Sequence, residues 1–330
     1  MTVTLDKPAR PRRTLRTRGL RAPVRQRAAS GGGRRQADPR PRPAPGPAGP
    51  PSTADTASSV LSTSFTMIAI VCLWMAAQLL FLGSISQHRA QDLLYDELRT
   101  DLAGATAPVG PVIPVGDPVA LLTIPSIGLE QVVVEGTASG DLLAGPGHRR
   151  DTVLPGQVGT SVVYGRAATY GAPFADLAEL GAGDEIDVVG AQGTTTYTVL
   201  GVRRAGDPLP QPVADGAGRI TLVTAEGSGR LGAIAPESVV YVDADATEAF
   251  PAPPGRPAAV PDSEKAMAAD EGALPLLALC LALLLALTLG VVAARQRWST
   301  VLVWVVASPL AIALSWASTD VVMRLLPNLI

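Results

Sequence analysis

The sequence predicts an all-β barrel or sandwich that is attached to a membrane by three helices. Its middle part, about 130 residues long, consists of short apolar runs separated by Gly, Pro and Asp, a spacing typical of many short strands. Three longer runs contain no charged residue. Hydrophobic residues make up 47% of the 330-residue chain and charged residues only 17%, below the roughly 25% of an ordinary soluble domain. Membrane helices explain this composition better than a large soluble core does.

The first 60 residues form a basic tail that is predicted to be disordered. They contain 13 Lys and Arg against three Asp, a net charge of +10, together with ten Pro and six Gly. Such a segment buries too little apolar surface to offset the entropy that is lost on ordering. Basic segments also bind nucleic acid or anionic lipids, but the charge is interpreted here as a topology signal that keeps the tail in the cytoplasm. Nucleic acid is not an expected partner.

The predicted membrane spans lie at 65–85, 272–294 and 298–319. Each is close to the length of about 20 apolar residues that a helix needs to cross a bilayer. The basic tail and the turn that contains Arg295 and Arg297 fall on the same side of these spans, which the positive-inside rule assigns to the cytoplasm. The acidic stretch 87–271, with 25 Asp and Glu against 11 Lys and Arg, is then extracytoplasmic. A multi-pass plasma-membrane protein is therefore predicted.

A strand-rich domain is predicted between the first two spans. Residues 86–117 are interpreted as a juxtamembrane stalk and linker, 118–245 as the domain, and 246–271 as a Pro-rich linker back to the membrane. A short tail, 320–330, follows the third span. The predicted strands are 119–124, 129–135, 160–165, 185–189, 194–202, 219–224 and 238–242.

The few cysteines and histidines exclude several kinds of site. Cys72 and Cys280 both lie in the apolar runs, so neither a disulfide-stapled secreted domain nor a cysteine zinc cluster is expected. His88 and His148 are the only histidines, too few for a multi-histidine metal site. The prediction is therefore that the chain uses no metal and no cofactor.

Three segments of the strand-rich region resemble a known family. Residues 121–137 read LLTIPSIGLEQVVVEGT, and 142–189 contain G-P-G-H, L-P-G-x-x-G, T-Y-G-x-P-F and G-D-x-I elements in that order. Residues 219–227, RITLVTAEG, follow the pattern of a strand that reads L-T-L-V-T-C in the family. These segments resemble the sortases, most of all the actinobacterial sortases of the class E and F type. The resemblance implies an eight-stranded β-barrel over 118–245.

The resemblance also implies an activity. Sortases are cysteine transpeptidases that attach secreted proteins with a C-terminal sorting motif to the cell wall. Their chemistry uses a thiolate that attacks a carbonyl, a histidine that protonates the departing amine, and an arginine that stabilises the oxyanion or positions the substrate.

In this sequence, other residues stand at all three of these positions. Arg166 occupies the family histidine position, Ala225 the cysteine position, and Pro236 or Ser238 the arginine position, with Arg230 as the nearest arginine. An arginine does not release a proton near neutral pH, and a methyl group is not a nucleophile. The chain is thus predicted to be a pseudo-sortase without intact catalytic residues.

Three functions remain open at this point. The first is a non-catalytic cell-surface protein whose groove, near Arg166, Tyr170, Thr224 and Arg230, binds sorting-signal peptides, secreted surface proteins or an active sortase. The second is an active sortase-type transpeptidase or hydrolase that uses other residues, such as the hydroxyl of Thr224 or Ser228. The third is a membrane-assembly protein in which the three spans matter and the barrel is a spacer.

Overall fold

The computed structural model describes residues 53–78, 82–227 and 236–330. The predicted disorder of the basic tail therefore falls almost entirely outside the described residues. The strands are β1 Pro118–Ile124, β2 Leu129–Glu135, β3 Gly147–His148, β4 Gly159–Tyr164, β5 Glu185–Gly190, β6 Gly193–Arg204, β7 Gly218–Glu226 and β8 Ser238–Ala246.

These eight strands form a closed barrel, as the fold class predicted from the sequence requires. Around the barrel they follow the order β1-β2-β3-β4-β7-β8-β6-β5, and β5 closes on β1. The β2–β3 and β4–β7 neighbours are parallel, and the remaining neighbours are antiparallel. The parallel β4–β7 pair matters for function because it places the end of β4 beside the end of β7.

Alternation of side chains along the strands fills the barrel. On β6, Thr195, Tyr197 and Val199 are buried while the residues between them are exposed, the two-residue period of a strand with one buried face. The interior core consists of apolar side chains from strands throughout the barrel. Among them are Leu122, Ile124, Val133, Val163, Phe174, Ile186, Tyr197, Ile220, Leu222 and Val242.

Strand β7 departs from this pattern because both of its faces are buried. Ile220 and Leu222 point into the barrel core, whereas Val223 and Ala225 belong to a separate apolar cluster. Other parts of the chain must therefore cover the outer face of β7.

The sequence does not predict strand β3, which has only two residues. A side chain at Gly147 would collide with Leu142 and with the main-chain carbonyl of Gly136, so the close approach of these segments requires glycine. Two residues are too few to show an alternating pattern.

Four helices lie outside the barrel in the described residues: α1 Thr53–Ala77, α2 Gly83–Gly104, α3 Leu274–Arg295 and α4 Thr300–Leu325. Three stretches of that part of the chain are long and apolar enough to cross a membrane, namely Val60–Ala77, Glu271–Arg295 and Thr300–Leu325.

The first of these stretches ends earlier than the range 65–85 that the sequence favours. Helix α1 ends at Ala77, and α2 begins at Gly83. A Cβ at Gly83 would lie 3.0 Å from the main-chain oxygen of Gln78, so this close approach also selects glycine. The residues that join the two helices, LLFL at 79–82, are apolar, so hydropathy alone does not show that the first helix ends.

Helix α2 is attached to the barrel along strand β2. The side-chain amide of Gln91 donates to the main-chain oxygens of Val132 and Ala144 at 3.1 and 2.9 Å and accepts from the Val132 amide at 2.6 Å. Gln87 donates to the side chain of Gln131 at 2.6 Å. The region that the sequence analysis interprets as a stalk is thus hydrogen-bonded to the domain.

Candidate functional site

The candidate site begins in the loop that follows β4. The Gly165 amide donates to the Val223 oxygen at 3.0 Å, and the hydroxyl of Thr224 donates to the Gly165 oxygen at 2.9 Å. A side chain at position 165 would collide with the ring of Phe174, which packs directly beneath the backbone. These contacts hold the loop against the end of β7 and place Arg166 close to that strand.

Arg166 is fully buried, and four hydrogen bonds fix its guanidinium. Nη1 donates to Thr169 Oγ1 at 3.1 Å and to the Ile330 oxygen at 2.8 Å. Nη2 donates to the oxygen and to the hydroxyl of Ser139 at 2.7 and 2.8 Å. The acceptors are two side-chain hydroxyls and two main-chain oxygens, and no Asp or Glu side chain pairs with Arg166 within the described ranges.

This environment determines what Arg166 can do chemically. Burial lowers the pKa of Arg166 to about 10, and the Tyr170 ring lies 5.9 Å from the guanidinium carbon. At pH 7 the charged form still exceeds the neutral form by about a thousandfold. Arg166 therefore donates hydrogen bonds but does not exchange a proton with a substrate, as a histidine at this position would.

Ala225, at the family cysteine position, lies in the apolar cluster on the outer face of the barrel. We call this surface the outer cleft; it is formed by Leu142, Tyr164, Ala167, Val223 and Ala225. Ala225 is 5% exposed and presents a methyl group. The structure therefore brings the Arg166 loop and the Ala225 strand together, as the family pattern predicts, but with no nucleophile at Ala225.

The outer cleft is not empty. Residues 326–330, which we call the covering segment, follow α4, and Leu329 is completely buried among the cleft residues. The Ala167 amide donates to the Leu329 oxygen at 2.9 Å. Ala266 and Met267, from the range predicted as a Pro-rich linker, pack against the same cluster. The cleft is thus closed by the chain itself.

The two other predicted groove residues in the described part have structural contacts. Thr224 is 2% exposed, and its hydroxyl donates to the Gly165 oxygen. Tyr170 donates to Asp320 Oδ1 of α4 at 3.1 Å, and burial raises the pKa of Tyr170 to about 12. Tyr170 therefore joins the Arg166 loop to α4 and does not line an open groove.

The residues proposed for the family arginine position lie at the start of β8. Ser238 pairs with Glu226 and Val239 with Ala225 in the β7–β8 ladder, and Pro236 precedes them. This register puts the beginning of β8 beside Ala225. Arg230 lies outside the described residues, as does Ser228.

His148 belongs to a different cluster. Its Nδ1 contacts Glu135 Oε2 at 2.7 Å, and its Nε2 contacts the Val153 oxygen at 2.8 Å. The nearby hydroxyl of Thr152 donates to the Arg149 oxygen and accepts from the Val162 amide. The same hydroxyl oxygen also lies 3.1 Å from His148 Nε2. In the described ranges, no group of three or more His, Cys, Asp or Glu is placed to hold a metal ion.

Sequence reasoning missed three partners of Arg166: Ser139, Thr169 and Ile330. Thr169 lies within the G-x-x-x-T-Y-G stretch and was within reach of motif reasoning. Ser139 follows β2, and Ile330 is 164 positions from Arg166 along the chain. No local pattern connects residues that are so far apart.

Comparisons with known proteins point to the region that forms this site. A family model, the Sortase domain, matches residues 122–240. Among curated proteins, Sortase D of Bacillus subtilis (strain 168) is 34% identical over 85 residues. The alignment covers 26% of this chain and 41% of the relative, so the chain spans about two fifths of the relative's length.

Solved structures of sortases are also similar to this chain. A Clostridium perfringens Sortase D5 transpeptidase is 20% identical with a TM-score of 0.39, covering 49% of this chain and 99% of that chain. SrtA sortase from Actinomyces oris is 27% identical with a TM-score of 0.36, covering 47% and 94%. Sortase E from Streptomyces avermitilis is 25% identical with a TM-score of 0.33, covering 46% and 100%. The match to the Sortase-domain model extends from β1 into β8, so this part of the chain is similar to the sortases.

Proposed function

We propose that this chain is a membrane-anchored, non-catalytic sortase-like protein whose outer cleft binds an extended peptide from a secreted surface protein or from an active sortase. The observation that carries the proposal is the combination of Ala225 with Arg166, whose guanidinium is fixed by hydroxyl and main-chain acceptors. Such a site offers hydrogen bonds to a peptide main chain and an apolar surface to a side chain. Neither Ala225 nor Arg166 forms an acyl-enzyme.

The hydroxyls near the cleft support a binding role over an unusual catalytic one. Thr224 donates its proton to the Gly165 oxygen, and Thr169 donates its proton to the Ile330 oxygen at 2.6 Å. A hydroxyl becomes an effective nucleophile when an adjacent base takes its proton. The proton of each threonine is directed at a main-chain oxygen, and the side chain that donates to Thr169 is the charged Arg166.

The test uses the full chain in detergent and a sorting-motif peptide that carries a fluorophore and a quencher. We expect no cleavage and no covalent adduct in the intact mass of the wild-type chain, while an active sortase in the same buffer cleaves the peptide. The paired substitutions Ala225→Cys and Arg166→His restore a nucleophile and an acid, and we expect the mass of a thioester adduct. Turnover by the wild-type chain contradicts the proposal.

The basic tail is proposed to lie in the cytoplasm and the barrel outside the cell. What supports this orientation is the +10 tail together with the Arg295 and Arg297 turn on the same side of the spans. In a Cys72→Ala/Cys280→Ala background, a membrane-impermeant thiol reagent added to intact cells should label Leu200→Cys on β6, where Leu200 is 47% exposed. The same reagent should leave Ser30→Cys in the tail unlabelled. The reverse labelling contradicts the orientation.

A further inference from the structure

Helix α4 ends in a way that sends the covering segment into the outer cleft. Leu326 has φ −84° and ψ 154°, an extended conformation, and Pro327 follows it. A residue before proline is pushed out of the helical region by contact with the proline ring. The helix therefore stops at Leu325, and the chain continues through the extended Leu326 into a turn in which the Ile330 amide donates to the Pro327 oxygen at 3.2 Å.

Asn328 positions this segment at the edge of the cleft. Its main-chain amide donates to the Ala268 oxygen at 2.9 Å. Its side chain donates to the Thr137 and Lys265 oxygens at 2.7 and 3.0 Å. Asn328 and Leu329 are 0% exposed, and Ile330 is 6% exposed, so three consecutive residues outside any helix or strand are almost fully enclosed.

The contacts of Leu329 and Ile330 are those of a bound peptide. The Leu329 side chain fills the apolar cleft, and its oxygen accepts from the Ala167 amide. The Ile330 oxygen accepts from both Arg166 and Thr169. These contacts use main-chain groups and one apolar side chain, which a peptide with a leucine-sized residue presents when it adopts the same turn.

We propose that the covering segment is an intramolecular ligand of the outer cleft, and that the cleft must release it before another peptide with a leucine-sized side chain binds there. This inference rests on the peptide-binding role proposed above. Arg166 is the residue that contributes most to recognition, because its guanidinium is enclosed and donates to the Ile330 oxygen of the segment.

Two further contacts connect release of the segment to α4. The Ser139 hydroxyl accepts from Arg166 and donates to the Met323 oxygen of α4 at 2.8 Å. Tyr170, in the same loop as Arg166, donates to Asp320 of α4. A displacement of α4 therefore pulls on both loops that hold the segment, as well as on the segment itself.

The first experiment tests whether the segment docks in the full chain in detergent. In the Cys72→Ala/Cys280→Ala background, Ala167→Cys and Leu329→Cys are combined, and a specific protease sequence is inserted in the exposed stretch 254–258. After mild oxidation and cleavage, a disulfide is expected to hold the two fragments together on a non-reducing gel. The matched control, Leu200→Cys with Leu329→Cys, places the first thiol on β6 outside the cleft and is expected to give separate fragments. Separate fragments from the first pair overturn the inference.

The second experiment tests whether docking excludes other peptides. The probe is a fluorescein-labelled peptide with the sequence of residues 325–330, Leu-Leu-Pro-Asn-Leu-Ile, and the control peptide has Asp at its fifth position. If the cleft is open in no more than about a tenth of the molecules, the apparent affinity of the wild-type chain is reduced at least tenfold. Leu329→Asp, which places a charge in the apolar cleft, is expected to raise probe affinity by that factor. Adding Arg166→Met to Leu329→Asp is expected to abolish this gain.

The outcomes separate this inference from the proposed function. Equal probe binding by the wild-type chain and Leu329→Asp overturns the occlusion but leaves the peptide-binding role standing. Disulfide formation without probe binding by any variant overturns the peptide-binding role, and the occlusion with it. A circular dichroism melt of each variant shows whether its barrel is intact.

Discussion

Two buried arginines in the described part of the barrel, Arg219 and Arg166, have different surroundings. Arg219, on β7, is 6% exposed and donates to both carboxylate oxygens of Asp245 at 2.5 and 2.7 Å. Arg166, in the loop after β4, is 0% exposed and donates to hydroxyl and main-chain oxygens, with no Asp or Glu side chain among its partners in the described residues. The hydrogen bond to Asp245 raises the pKa of Arg219, whereas burial lowers the pKa of Arg166 to about 10.

The same contrast runs along the outer face of β7. Near the start of the strand, Arg219 and Thr221 meet Asp245 and Asp243 of the neighbouring β8. Near its end, Val223 and Ala225 have apolar side chains and are covered by Leu329. The first region completes its interactions within the barrel, but the second requires a segment from the other end of the chain. The second region is therefore the one whose contacts change if another peptide replaces the covering segment.

The largest expected effect is that of Arg219→Met. This substitution leaves the Asp245 carboxylate without its partner. Because the Asp245 side chain is 35% exposed, water replaces part of the lost interaction, and the expected cost is about 2 kcal/mol. For a domain of this size that corresponds to a drop of roughly 7 °C in the melting temperature of the full chain in detergent. The matched control is Arg204→Met, which breaks the exposed pair with Glu226 and should leave the melting temperature nearly unchanged, because water screens that pair. Equal losses for the two variants would contradict the assignment of Arg219 as a buried partner.

Arg166→Met is expected to destabilise the barrel less than Arg219→Met, although Arg166 is the more deeply buried residue. No Asp or Glu side chain loses its partner when Arg166 is replaced. The lost hydrogen bonds destabilise the barrel, but removal of a buried cation offsets part of that loss, so the expected cost is about 1 kcal/mol. The covering segment, however, loses the donor to its Ile330 oxygen. Melting of both variants under identical conditions checks the order, and a larger loss for Arg166→Met would show that its site is an essential part of the barrel fold.

The smallest expected effect concerns Asp141, which lies with Ser139 in the segment between β2 and β3. Burial raises the pKa of Asp141 to about 6 from the usual 3.8, with Glu264, Arg150 and Arg324 as the neighbouring charges. The folded state therefore favours the protonated carboxyl, so this group's contribution to stability is full below pH 3.8 and is lost as the pH rises through about 6.

Asp141→Asn removes this titration and keeps an acceptor for the Ala138 amide. Relative to the wild-type chain, the variant should gain stability between pH 4.5 and pH 7, by less than about 1 kcal/mol because the carboxyl is partly exposed. Melting curves at both pH values measure the difference. A difference that does not change with pH would rule out the raised pKa.

Most of the barrel was predictable because its strands carry their own signal. The alternation around Tyr197 on β6 and the segments that resemble sortases fix where strands begin and which faces are buried. The two-residue β3 was not predictable, since its place depends on close backbone contacts at Gly147. The break between α1 and α2 was missed because the residues that follow Gln78, LLFL at 79–82, are apolar and continue the hydrophobic run.

The site divides in the same way. The sequence places Arg166 and Ala225 at matching motif positions, and the parallel β4–β7 pair brings their neighbours together. Nothing in the sequence marks Leu329 as a cleft residue, because a single apolar residue in the short tail predicted at 320–330 has no local pattern that would place it. Its role follows only from tertiary contacts between the covering segment and loops more than a hundred residues away.

Burial of a leucine-sized side chain is worth about 1.5–3 kcal/mol, enough to keep the covering segment docked in most molecules. Hydrogen–deuterium exchange of the Ala167 amide, resolved by mass spectrometry of overlapping fragments, tests this most directly, because that amide donates to the Leu329 oxygen. The account predicts slow exchange at Ala167 in the wild-type chain and fast exchange in Leu329→Asp, while the β5–β6 amides remain slow in both. Exchange at Ala167 that is equally fast in both chains would contradict the account.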